Sequence, residues 1–194
     1  MPYFLFLYPF YSYVIHAGFG GASVRQETKA VTLLNKIISQ RYRHQNYQVA
    51  WLFHQDQSAA IDYSHQDRRI IIERSDLILN AGTTWDDMRR AQYPDPQNIL
   101  EQLPDLTELV LGGFHQYDCV ERIARHSHTQ GIATHIDEDT TDLFFSSYYL
   151  GCPIRPRTSI SERGAVLRAF FERHQVPLEF TRAERQEKPW LMPV

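Results

Sequence analysis

Residues 108–145 read ELVLGGFHQYDCVERIARHSHTQGIATHIDEDTTDLFF. Within this stretch, the apolar run 109–111 and the strand-like run 132–136 predict two strands. Between them, small or apolar residues recur at positions 120, 123, 124 and 127, the i, i+3, i+4 and i+7 spacing of one helix face. Gly131 follows the last of these positions, where helices commonly end. Because two strands joined by a helix run parallel with a right-handed crossover, this stretch predicts a parallel α/β sheet.

The same alternation of strands and helices extends towards the N-terminus. Three further segments, at 3–7, 47–53 and 75–79, are rich in apolar residues and predict three more strands. Ser23 and Gln26 match the capping-box pattern, which predicts a helix from there to about residue 41. The whole pattern favours a three-layer α/β/α fold with a Rossmann-like, mostly parallel sheet in the strand order 3-2-1-4-5.

The signals are weaker on the C-terminal side of residue 145. Residues 148–156 are predicted to form a loop, and Ser159 is a cap candidate for a helix that follows it. The run 176–180 contains Pro177 and predicts an edge strand. We therefore expect one α/β domain over residues 1–180 and a charged tail over residues 181–194.

Composition narrows the class of protein. The chain has 194 residues, 43% of them hydrophobic, which is enough for one full core. Its net charge is −3 and it has no long run of either sign, so nothing suggests a nucleic-acid partner. Two cysteines form no disulfide framework, which favours a reducing, cytoplasmic location. The apolar N-terminus is too short for a membrane span and lacks the basic residues of a signal peptide, so no membrane association is expected.

Polar residues cluster where the predicted strands end, the edge at which open parallel sheets bind ligands. The residues proposed to bind a ligand there are Tyr8, His54, Asp56, Asn80, Gly113, Phe114 and Asp137. The residues proposed for catalysis are Cys119 as nucleophile, His115 and Asp118. Cys119 falls where a strand meets a helix N-terminus, and the helix dipole there favours a thiolate.

The stretch around Cys119 resembles the isochorismatase-like cysteine hydrolases, the superfamily that includes the nicotinamidases. The residues that carry the resemblance are Gly113, Cys119, Val120, Ala124, Gly131 and the acidic residues 137–139. The resemblance implies the same three-layer fold and the strand order given above. It also implies that Cys119 occupies the position of the family nucleophile.

Two other catalytic positions of that family differ in this chain. The family aspartate follows the first strand, where this sequence has Tyr8. The family lysine follows the third strand, where this sequence has Asn80 and no lysine nearby. Losing both charges together leaves neither one buried without its partner. We therefore expect a degenerate triad in which the Tyr8 side chain contacts Cys119 or Asn80.

A substitute base for the cysteine remains open. Either His115 or His54 could pair with the thiol in a Cys-His-Asp arrangement. The carboxylates available to orient such a histidine are Asp118, Asp56 and Asp137. His54, Asp56 and His65 also resemble the metal ligands of nicotinamidases, but the family order of aspartate and histidine is not present. We expect no metal and no other cofactor.

Three functions follow from this reading. The first is a non-catalytic relative that binds a small molecule or a protein partner. The alternative is an active cysteine hydrolase that cleaves a small amide, ester or enol ether with Cys119 and a base foreign to the family. The third is an interaction protein whose Tyr and Phe residues form an interface. The resemblance also implies that the protein can assemble into a homo-oligomer, since members of that family often do.

Overall fold

A computed structural model of the chain describes residues 1–10, 23–57, 70–152, 163–175 and 179–192. Five strands form one all-parallel sheet in the order β3-β2-β1-β4-β5, as the sequence predicts. The strands are β1 (Pro2–Leu7), β2 (Gln48–Phe53), β3 (Leu77–Asn80), β4 (Glu108–Gly113) and β5 (Ala133–Thr141).

Helices flank the sheet in a three-layer α/β arrangement. They are α1 (Val24–Arg41), α2 (Trp85–Arg89), α3 (Pro96–Leu100), α4 (Glu121–Thr129), α5 (Asp142–Tyr149), α6 (Ala165–His174) and α7 (Glu179–Glu187). The chain steps from β1 to β2 in one direction across the sheet and from β4 to β5 in the other. Since crossovers between parallel strands are right-handed as a rule, this strand order places α1 and α4 on opposite faces. Within the described ranges, no helix is both long and apolar enough to cross a membrane.

Local sequence signals explain where the helices begin. Ser23 and Gln26 make both hydrogen bonds of a capping box at the start of α1. Thr84 and Asp87 do the same at α2. Helix α3 begins with Asp95 as its cap and a proline in its first turn, a position that needs no backbone donor. These contacts satisfy N–H groups that a helix leaves free at its N-terminus.

The core lies on both faces of the central strand β1, whose residues from Tyr3 to Leu7 are all buried. Phe4 stacks on Tyr42 at the end of α1, with ring centroids 3.9 Å apart. On the α4 side, the predicted stripe at positions 120, 123, 124 and 127 is buried as expected. Central strands covered on both faces are apolar throughout, which is why β1 shows no alternation.

The end of β4 approaches β1 too closely for any side chain at Gly113. A Cβ atom there would lie 2.2 Å from the Leu7 carbonyl oxygen, and Gly113 has a φ of +95°. Gly112 is also constrained, because a Cβ atom would lie 2.3 Å from the Thr140 hydroxyl. The two glycines therefore let β4 pack tightly at the end that carries the candidate site.

Strand β5 does not end at Ile136, as the sequence suggested, but continues to Thr141 after a bulge. Leu111 pairs with Ile136 and Gly113 with Thr141, so Gly112 faces the four residues 137–140. The Thr140 hydroxyl donates to the Asp137 carbonyl at 2.8 Å, which closes the bulge on itself. Such an insertion re-aims the side chains of a strand. Here it turns the acidic residues 137–139 into the protein, where all are buried.

The C-terminal part of the chain differs from the prediction in two places. Tyr148 and Tyr149 belong to α5 rather than to a loop, because Thr141 caps that helix and Phe144 and Phe145 anchor it in the core. Helix α7 begins at Glu179, within the predicted edge strand 176–180, so the strand prediction is wrong there. The rest of that run, together with His65 and the Ser159 cap, falls outside the described residues.

A candidate site around Cys119

Cys119 lies in a π-helical turn, Gln116–Val120, that joins β4 to α4; we call it the Cys119 turn. The thiol is buried, with 4% of the residue exposed. Burial raises the pKa of Cys119 to about 12, and the charge of Asp118 acts in the same direction. A hydrogen bond with Tyr8 and the charge of Arg122 act in the opposite direction. Burial therefore outweighs the helix-dipole effect predicted from the sequence, and the thiol is protonated at neutral pH.

The structure brings Tyr8 and Cys119 together. Tyr8 is buried at the end of β1, in a left-handed conformation with φ +57°. Its ring stacks on the His54 imidazole, with centroids 4.1 Å apart and planes 10° from parallel. Phe10 packs edge-on against Phe53 on the same side. An aromatic cluster thus surrounds the carboxyl end of β1, at the position where the resemblance would require an aspartate.

His54 serves this cluster as a buried ring. Desolvation lowers the pKa of His54, while the charge of Asp56 and a hydrogen bond to the Thr83 carbonyl act in the opposite direction. Asp56 is exposed and accepts a hydrogen bond from the Trp85 amide at 3.4 Å. The two residues therefore contribute to packing and to the α2 terminus, and the described residues contain no group of three or more potential metal ligands.

Asn80 has a local structural contact. Its side-chain oxygen accepts a hydrogen bond from the Gly82 amide at 2.7 Å, as asparagine does in tight turns. Its backbone amide and carbonyl bind the two ends of the Gln102 side chain, at 3.0 and 2.9 Å. Asn80 therefore ties β3 to the segment after α3.

His115 and Asp118 face different partners. The His115 Nδ1 atom lies 3.5 Å from an oxygen of Asp142, the first residue of α5. Asp142 also accepts a hydrogen bond from the backbone N–H of Gln116 at 2.9 Å. Asp118 instead pairs with Arg122 one turn along the helix, at 2.9 Å. The carboxylate that lies beside His115 is therefore Asp142, which the sequence analysis did not identify.

The Cys119 turn is also held from inside by Gln116, another residue that sequence reasoning missed. The side-chain nitrogen of Gln116 donates to the Glu138 carboxylate at 2.9 Å, and its side-chain oxygen accepts from the Thr141 hydroxyl at 2.5 Å. Glu138 pairs with Arg185 of α7. Burial raises the pKa of Glu138 to about 7, although Arg185 and Gln116 act in the opposite direction. This network spans the β5 bulge, which no local sequence signal predicts.

The remaining predicted binding residues are internal. Asp137 accepts hydrogen bonds from Arg41 at 2.8 and 3.0 Å and from the Tyr42 hydroxyl. Phe114 is fully buried and stacks on Phe145 with centroids 5.6 Å apart. Asp137 and Phe114 are therefore buried in the scaffold, and Gly113 packs on β1.

A groove of about 490 Å³ opens on the outer side of the turn. One wall is aromatic and proline-rich, and the other is the polar face of α4. The lining residues are Tyr93, Pro94, Pro96, Tyr117, Asp118, Glu121, Arg122, Arg125, His126 and Thr129. The Arg122 guanidinium lies over the Tyr93 ring, 3.8 Å from its centroid. Tyr117 is 61% exposed and is one of the few exposed large hydrophobic residues in the described part of the chain.

Of the predicted residues, only Asp118 lines this groove. The others pack behind it or lie at other strand ends. The groove could not be read from the sequence, because Tyr93 and Pro94 come from a loop far from α4 along the chain. Comparison with known protein families finds no matching family, and comparison with curated proteins finds no match either.

Proposed function

We propose that the protein is a divergent isochorismatase-like protein that binds a small molecule or a protein partner and has no cysteine-hydrolase activity. The observation that carries this proposal is the state of Cys119, a buried thiol whose pKa burial raises to about 12. A thiol attacks as its thiolate, so this environment works against nucleophilic catalysis. The strand order and the position of Cys119 after β4 support the family part of the proposal.

The groove beside the Cys119 turn supports the binding part. Its volume of about 490 Å³ is in the range of small-molecule sites. It combines the rings of Tyr93 and Tyr117 with charged groups of both signs, such as Arg125 and Glu121. Aromatic faces supply apolar contact area and the charged groups fix orientation. The same features suit a protein side chain, so both kinds of ligand stay within the proposal.

An activity assay tests the catalytic part. The full chain and a Cys119→Ala variant are incubated with nicotinamide, activated esters and simple enol ethers, and product is measured at pH 7–9. We expect both proteins to give the same background rate. A wild-type rate more than about tenfold above that of the variant would refute the proposal, since that is a difference of about 1.4 kcal/mol in barrier.

A fragment screen tests the binding part. Amide and side-chain NMR signals are followed while small aromatic and charged fragments are added to the full chain. We expect shifts at Tyr93, Tyr117 and Arg125, and loss of binding in an Arg122→Ala variant. Arg89→Ala is the matched control, because Arg89 is 69% exposed on α2 and lies outside the groove. Shifts confined to other surfaces would contradict the assignment of the groove.

The active-hydrolase alternative is favoured by one observation, the approach of His115 to Asp142 at 3.5 Å. A carboxylate at Nδ1 orients an imidazole as a general base. In that case His115→Ala should abolish whatever Cys119-dependent activity the assay detects, and Asp142→Asn should reduce it. Activity that survives both changes would exclude the pair as the base.

A further inference from the structure

The C-terminal segment, residues 179–192, covers the outer edge of the sheet. Strand β5 is the last strand of the sheet, and Leu191 forms a parallel bridge with Ile136 on its open side. The Ile136 amide donates to the Trp190 carbonyl at 2.7 Å. Trp190 and Leu191 are 7% and 5% exposed. The segment therefore occupies an edge that would otherwise present unpaired backbone groups.

A buried ion pair fastens this segment. Arg185 pairs with Glu138 in the β5 bulge, and the two side chains are 8% and 2% exposed. Arg185 also donates to the Met192 carbonyl at 2.6 Å, so it links α7 to the residue at the end of the segment. Removing one partner of a buried pair leaves the other charge uncompensated, so this contact is costly to break from one side.

The segment also contacts both the Cys119 turn and the groove. Glu138 accepts a hydrogen bond from Gln116 within the turn. Lys188 pairs with Glu121 at 3.0 Å and lies over the Tyr117 ring, 5.6 Å from its centroid. Glu121 and Tyr117 both line the groove. The contacts that dock the segment are thus shared with the residues that shape the candidate site.

From these shared contacts we propose that residues 179–192 act as a latch. In the docked form, the segment fixes the Cys119 turn through Arg185, Glu138 and Gln116 and supports one wall of the groove. When it detaches, the turn and the wall loosen together while the rest of the sheet stays folded. The consequence for ligand binding rests on the proposed function, but the latch itself is measurable without a ligand.

Amide hydrogen exchange of the full chain tests the latch. Wild type is compared at pH 8, where Glu138 is mostly ionised, with Arg185→Met and with Arg182→Met, an exposed arginine of the same helix. In Arg185→Met, we expect exchange to accelerate by about tenfold or more over 179–192, at Ile136 and over 114–121. We expect β1 and β2 to stay within about twofold of wild type, and Arg182→Met to match wild type throughout.

Two results would overturn the proposal. Acceleration limited to 179–192 would show that the segment detaches without loosening the turn. Equal acceleration in β1 and β2 would show that the segment belongs to the cooperative core. If Arg185→Met does not fold, Lys188→Gln decides, because it removes partly exposed contacts, namely the pairs with Glu121 and Glu184 and the contact with the Tyr117 ring. A smaller acceleration over the same peptides supports the latch, and none, or a uniform one, overturns it. Exchange requires neither activity nor ligand, so failure here is distinct from failure of the binding proposal.

Discussion

The sharpest consequence of the Cys119 environment is a slow reaction with alkylating reagents. An ordinary cysteine has a pKa near 8.5, so about a tenth of it is thiolate at pH 7.5. With the pKa of Cys119 raised to about 12, the thiolate fraction at that pH is lower by roughly 3,000-fold. The position of Cys119 in the sequence predicts a thiolate favoured by the helix dipole. Burial of the thiol reverses that expectation.

Iodoacetamide with peptide mass spectrometry measures this rate. The native protein is alkylated at pH 7.5, and the same protein in urea supplies the reference rate for each cysteine. Because only the thiolate reacts, we expect Cys119 to react at least about 1,000-fold more slowly in the native protein than in urea. Tyr8→Phe removes a hydrogen bond that lowers the pKa of the thiol, so this variant should react no faster than wild type.

The outcome that refutes this reasoning is clear. A native Cys119 that reacts within about tenfold of the unfolded reference, or whose rate rises with a midpoint below pH 8.5, has a thiolate at neutral pH. Burial would then not control its pKa, and the active-hydrolase alternative would gain support. Cys152 is also buried, with its pKa raised by desolvation, and provides a second buried thiol in the same experiment.

Three further changes test the scaffold, with urea unfolding as the measurement. Gly113→Ala should lower the free energy of unfolding by about 3 kcal/mol or more, because its Cβ would overlap the β1 backbone. Gly131→Ala, whose Cβ would meet no atom within 4 Å, should lower it by about 1 kcal/mol. Equal losses would contradict the close approach of β4 to β1. Arg41→Met should cost about 3–5 kcal/mol by leaving two buried carboxylates unpaired, whereas Arg89→Met, in an exposed pair, should cost under about 0.5 kcal/mol. The native state keeps the Glu138 proton up to a pKa of about 7 and the unfolded state releases it near 4.5, so stability should fall as pH rises between those values, by at most about 3 kcal/mol. Glu138→Gln should lack this step, and an identical pH profile in the variant would exclude Glu138 as its source.

The fold could be predicted from the sequence because its main signals are local. The runs that became β1, β2 and β4 have almost wholly apolar interiors, and the capping box at Ser23 marks the start of α1. The helix stripe between β4 and β5 fixed a parallel crossover and, with it, the direction of the chain. These signals act over a few residues and do not depend on distant contacts.

The site was harder to predict because its polar residues bind one another across the chain. Asp137 was expected at a ligand-facing strand end, but it is separated from its partner Arg41 by 96 residues. The bulge that turns Asp137 inward depends on Gly112 and Thr140, and on no signal within β5 alone. Similarly, Glu179 lies in a run whose local pattern predicts an edge strand, although the structure places it in a helix. The contact that holds this helix, between Arg185 and Glu138, joins residues far apart in the sequence, so local patterns do not predict it.

The arrangement around Cys119 also shows how the carboxyl end of the central strand is filled without a buried charge beside the thiol. At the sheet edge, the Tyr8 and His54 rings stack in an aromatic cluster behind the thiol. Aromatic rings carry no charge, so burying them at this strand end avoids the desolvation cost of a buried ion, which is several kcal/mol. On the outer side of the turn, in the groove, Arg122 and Asp118 pair with each other. Aromatic rings therefore cover the thiol on its inner side, whereas the outer side of the turn presents the charged and aromatic groove to which the proposed function assigns ligand binding.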